Sequence, residues 1–121
     1  MNGTITCDLC NDKNLVPILV DLPPASSLTR PEGPHENNPL VREDVLQKKI
    51  PQTMAWAYVR PNGGRGFGFT GAHVHNNWMN DSFRKLVLNA IIWSAKIEVP
   101  KDGVKTATPT QDELDALRKK K

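Results

Sequence analysis

Residues 60–96 read RPNGGRGFGFTGAHVHNNWMNDSFRKLVLNAIIWSAK, and the fold class turns on them: a strand, a polar loop, then a long apolar helix. Arg65-Gly66-Phe67-Gly68-Phe69-Thr70 alternates large and small residues, so period-two geometry puts both aromatics on one face. The Pro61-Asn62-Gly63-Gly64 cluster before it is a turn signal, because Asn and Gly reach positive φ at little cost. Upstream, Met54-Ala55-Trp56-Ala57-Tyr58-Val59 alternates in the same way, and two such runs around a turn predict a β-hairpin. Phe83, Leu86, Val87, Ala90 and Ile91 then recur at helical spacing, while Leu88, Ile92, Trp93 and Ala95 widen the apolar face. Asn80 or Asp81 caps its first amides. Along the helix body the clearly polar residues are Arg84, Lys85, Asn89 and Lys96, which predicts a long helix buried on most sides. Each large side chain so buried contributes roughly 1.5–3 kcal/mol before entropy is subtracted. A strand feeding a helix is half of an α/β unit, and open α/β sheets gather ligands at the carboxyl ends of strands. The loop between this strand and helix is therefore the first place to look for a site.

The remaining segments are less regular. At 121 residues the chain has the length of one domain. Val16-Pro17-Ile18-Leu19-Val20 is a short apolar run bounded by charge, and its internal proline favours an edge strand. Asp21 to Asn38 is rich in Pro, Gly, Ser and Asn, which argues for a long loop, and its Arg30, Glu32, His35 and Glu36 are candidates for a site wall. Leu40, Val41, Val45 and Leu46 outline a short amphipathic helix that Pro51 ends. Asp102-Gly103 marks a turn in the polar connector after the main helix. Thr110-Gln111-Asp112-Glu113 is a capping box, and Leu114 and Leu117 give the short helix behind it a narrow apolar stripe. The formal charge of +3 comes largely from the tail Arg118-Lys119-Lys120-Lys121, a solvated cluster of the kind found at helix ends. No apolar run reaches the ~18–20 residues of a membrane span. The start of the chain lacks a signal-peptide pattern, so the default expectation is a cytoplasmic protein with no membrane partner.

Three motifs carry chemistry. Cys7-Asp8-Leu9-Cys10 has the spacing of a zinc or redox pair, but no second cysteine pair exists to complete a zinc site. Arg65-Gly66-Phe67-Gly68-Phe69 matches the opening of the RNP1 signature of RNA-recognition strands. Thr70 and Ala72 then stand where an aliphatic and an aromatic residue are required, so RNA binding is the minor alternative and the expectation is no nucleic-acid partner. His73-Val74-His75 is the sharpest feature. On extended backbone both imidazoles project to one side and can share a divalent metal such as zinc, with a third ligand from His35, Glu36 or Asp81. Alternatively one histidine is a general base or a substrate contact, or the pair caps the helix entry. Asn76, Asn77 and Trp78 add hydrogen bonding and an apolar wall of the kind seen in sugar sites.

The run GRGFGFTGAHVHNNWMNDSFRKLVLNAIIWSA, with VPIL upstream and RPEGPHENNP and MAWAYVRPNGG between, resembles the carboxyl-terminal half of ThuA-like (trehalose utilisation) proteins. The likeness spans about Asn14 to Val104. It divides the chain into a ThuA-like part over 1–104, with 1–13 an ill-defined start, and a polar linker with a short helix over 105–121. What the resemblance implies is a three-layer, flavodoxin-like α/β sandwich of the class I glutamine amidotransferase type, present as its carboxyl-terminal half. It also implies a role in trehalose or other carbohydrate metabolism, with the reaction undefined. His73 falls where a family histidine follows its strand, a position like that of the amidotransferase triad, and is the catalytic candidate. His75, Asn76, Trp78, Arg30 and His35 are the substrate-binding candidates, and His73 with His75 the metal candidates. Neither Cys7 nor Cys10 has the strand–elbow–helix context of the triad nucleophile. Family members are about twice this long, so the chain is expected to expose apolar surface and to self-associate. The competing class is a non-catalytic sugar-binding or interaction module, which leaves open whether the protein is an enzyme.

Overall fold

The computed structural model describes residues 12–28 and 38–118. Cys7, Cys10, Arg30, Glu32, His35, Glu36 and the last three lysines, which figured among the motifs above, lie outside the described residues. Strands and helices are mixed, as expected, and the three strands form one antiparallel sheet in the order β1 (Leu15–Asp21), β2 (Gln52–Val59), β3 (Arg65–Phe69). The chain divides into two compact units between Ala57 and Tyr58, within β2.

In the first unit, Pro17 sits in β1, at one end of the sheet order, where the amide it lacks is not required for a second ladder. Val16, Ile18 and Val20 of this strand remain about half exposed, at 50, 49 and 49%. The short amphipathic segment is present as α1 (Pro39–Arg42) running into a π turn at Glu43–Gln47. Asn38 caps α1 by accepting from the Leu40 amide at 2.9 Å, with proline at the first helical position, where its missing N–H costs nothing. Val45, Ala55 and Ala57 are the buried apolar residues of this unit. The alternation in β2 is visible in their burial: the alanines are covered, and Met54, Trp56 and Tyr58 on the other face are half-buried.

The second unit holds the strand, loop and helix of residues 60–96. Arg60 N donates to Gly64 O at 2.7 Å and Gly63 N to Arg60 O at 2.8 Å, closing the hairpin turn with Gly63 at φ +79°. From β3, period-two geometry places Arg65, Phe67 and Phe69 on one face. On that face Arg65 Nη1 donates to the Trp93 carbonyl at 3.0 Å, its guanidinium stands 5.1 Å from the Trp93 ring centroid, and the Phe69 ring lies 5.5 Å from Phe83. These contacts seat β3 on α2 (Asp81–Ser94).

The coverage of α2 differs from the expectation. Its buried residues are Arg84 and Ala90, most of its apolar side chains are half-buried, and Ile91 is 58% exposed. Among the described residues, β3 and the connector after the helix cover only part of its circumference. The helix ends in a Schellman motif: Ile97 N donates to Ile92 O and Lys96 N to Trp93 O, with Lys96 at φ +63°. A side chain in that left-handed conformation is strained, and glycine is the usual occupant. Replacing it relieves the strain. Lys96→Gly is therefore expected to raise the unfolding free energy by about 1 kcal/mol in denaturant titration with an unchanged m-value.

Candidate functional site

The loop from Thr70 to Asn80 leaves the carboxyl end of β3 and enters α2 through two 3₁₀ turns, Gly71–His73 and His75–Met79, with Val74 extended between them. The backbone assumed for the histidine pair is thus corrected: His73 closes one turn and His75 opens the next, so the two do not share the single extended run that would align their rings. Local chemistry explains the folding. Asn77 Nδ2 reaches back to Gly71 O at 2.9 Å, and Asn77 N donates to Val74 O at 3.0 Å, drawing the loop into turns. Gly71 is required there, since a Cβ would fall 2.4 Å from the Phe69 ring. Asn80 ends the loop as N-cap of α2, its Oδ1 accepting from Phe83 N at 3.0 Å.

Arg84 holds this loop from within. It is the one buried charged side chain among the described residues, 5% exposed. Its Nη1 donates to the Trp78 carbonyl at 2.7 Å, its Nε to Thr106 Oγ1 at 3.2 Å, and its Nη2 to Thr108 Oγ1 at 3.0 Å and to Asp81 Oδ1. Thr108 Oγ1 in turn donates to Asp81 Oδ1 at 2.7 Å. A buried guanidinium is tolerated only when its donors are met, and here they bind loop, helix and connector together. Trp78 also packs edge-on against Phe83, with centroids 5.2 Å apart. A few residues on, Asn89 Oδ1 accepts from Val104 N at 2.8 Å beside Gly103, whose φ of +77° makes the turn expected at Asp102-Gly103. The capping box is formed in both directions: Glu113 N donates to Thr110 Oγ1 at 3.3 Å and Thr110 N to Glu113 Oε2 at 2.8 Å. The helix it starts, α3 (Gln111–Arg118), buries Leu114 and packs against the His75–Met79 turn.

The structure places the expected site residues as follows. His73 and Asn76 are exposed on the loop. His75 is half-buried, and its Nε2 is buried without a hydrogen-bond partner. Trp78 serves the loop's own architecture through its ring and its carbonyl. Among the described residues no three His, Cys, Asp or Glu side chains converge as metal ligands, so a zinc ion at His73 and His75 would need donors from beyond them. Phe67 and Phe69, the aromatics of the RNP1-like strand, lie 6.4 Å apart, with Phe69 engaged by Phe83. In the sequence Arg84 is a polar interruption of an apolar helix, and nothing local announces that Thr106 and Thr108 bind it.

No family model matches the chain, and neither a curated protein nor a solved structure is significantly similar to it.

The Asp81 carboxyl is held below its ordinary value of 3.8, first by the Thr108 hydroxyl and then by the Arg84 guanidinium. A lowered folded-state pKa gives stability that is present above the unfolded value and lost as pH falls through the folded one. Asp81 is itself exposed, so solvent screening keeps the effect modest. Asp81→Asn is expected to lower the melting temperature near neutral pH. The gap between wild type and variant should then close as pH falls below the ordinary carboxyl value of 3.8; a gap independent of pH would contradict the role given to the carboxylate.

Proposed function

We propose that this chain is a ThuA-like α/β protein whose loop 70–80 binds a carbohydrate-related small molecule, with His73 as its acid/base group and His75 as a substrate contact. The observation that carries the reading is the pair of unlike imidazoles at the end of β3: one exposed to solvent, the other with a buried Nε2 that lacks a partner. A buried polar atom without a partner is costly, and a ligand hydroxyl is a natural partner for an imidazole nitrogen. The exposed His73 on the same loop presents an imidazole that a bound molecule can reach, as a general acid/base group must. The loop is also stiffened by Asn77, Asn80 and Arg84, and a preorganised loop binds at lower entropic cost.

The finer fold belongs to the same proposal. The half-exposed apolar residues of β1 and the exposed Ile91 of α2 are surfaces that the additional layers of a flavodoxin-like sandwich would cover.

Calorimetric titration with trehalose and its component sugar, followed by product analysis, tests the reading. The expected result is trehalose binding by the wild type that weakens at least about tenfold in His75→Ala, which is about 1.4 kcal/mol. His73→Ala should keep the binding and lose turnover. Binding with no turnover in either protein would make the loop a non-catalytic sugar module. Absence of binding in the wild type would overturn the carbohydrate assignment.

A further inference from the structure

We propose that α3 is a lid over the loop site, latched by Thr108, and that a ligand hydroxyl takes the His75 Nε2 when α3 lifts. The inference rests on the reading of loop 70–80 as a binding site and adds how that site is opened. Three observations meet at one turn. His75 Nε2 is buried with no partner, although an imidazole nitrogen so placed ordinarily finds one. The segment that carries it, His75–Met79, is the one against which α3 packs. The helix itself is slight: residues Gln111–Arg118, with Leu114 as its buried apolar anchor at 3% exposure and Leu117 exposed at 63%. A helix of this length is marginal without its packing, so it can detach while the rest of the unit stays folded.

What holds α3 down lies just upstream of it. Thr108 donates to Asp81 and accepts from Arg84, and Thr106 accepts from the same guanidinium. The bond from Val104 to Asn89 anchors the connector further back on α2. The latch at Thr108 is exposed, whereas the Arg84 end of it is buried. Breaking the Thr108 hydrogen bonds therefore frees the chain at the point where α3 begins, while Arg84 keeps its bond to Trp78 and the loop keeps its shape.

Carbethoxylation by diethyl pyrocarbonate, localised by tandem mass spectrometry on the full chain, reads this directly, because His73 on the same loop is an exposed internal standard. In the wild type His75 is expected to react at least about tenfold more slowly than His73. Thr108→Val and Leu114→Asn should each raise the His75 rate by about fivefold or more with the His73 rate unchanged. Thr108 is exposed, so its variant decides the matter if Leu114→Asn does not fold. Equal rates for the two histidines in the wild type, or a His75 that stays protected in folded Thr108→Val, would overturn the lid. Trehalose added to the opened variant is expected to restore the protection of His75. Opening without that restoration would leave the lid standing and remove the carbohydrate reading instead.

Discussion

A guanidinium taken out of water loses the solvation of five N–H donors, and the second unit of this protein is arranged around replacing it. Arg84 finds a carbonyl in the loop, a carboxylate one turn back on its own helix, and two hydroxyls in the connector that returns past the helix. None of these partners is interchangeable with a hydrophobic contact, because an unmet donor at a buried site costs about as much as a hydrogen bond contributes. The consequence is geometric: loop, helix start and connector are fixed to one planar group, and the shape of the candidate site is inherited from it. Asp81 remains in solvent while its partner is buried, so the pair avoids the desolvation of two charges that makes wholly buried ion pairs marginal.

Packing supplies what the hydrogen bonds do not. The aromatics Phe69, Phe83 and Trp78 form a chain of tilted and edge-on contacts from the last residue of β3 through the helix to the loop. Gly71 lets the backbone pass under the Phe69 ring, where any side chain would collide. At the far end of the same strand Arg65 lies on Trp93 and bonds its carbonyl, so β3 is held to α2 at both ends. This gives a rigid strand–loop–helix frame whose outer apolar surface is only partly covered, and a terminal helix resting on the loop with little burial of its own.

Much of this frame was legible in the sequence, for reasons of local physics. The hairpin follows from two alternating runs around Asn62-Gly63-Gly64, the start of α2 from the cap at Asn80, and the start of α3 from the Thr110–Glu113 box. Each is decided within a few residues. The course of the histidine loop was not legible: Val74 flanked by two histidines suggests extended backbone, but the reach of Asn77 to Gly71 and the pull of Arg84 on Trp78 wind it into turns. Periodicity overstated the burial of α2, because a stripe shows that a face is apolar and not that a neighbour exists to cover it. Arg84 was hidden for the opposite reason. Its decisive partners, Thr106 and Thr108, are 22 and 24 residues away, and a polar residue on an apolar helix looks the same in sequence whether it faces water or a set of acceptors.

Native-state amide hydrogen exchange on wild type and Arg84→Met tests most directly whether one guanidinium organises the site. Methionine preserves the length and apolar stem of the side chain and removes the donors. The account predicts that loop 70–80 and connector 103–108 lose protection together, by the same factor, while the β2–β3 hairpin keeps its own. Protection lost evenly across the unit, or from the connector alone with the loop unchanged, would contradict it.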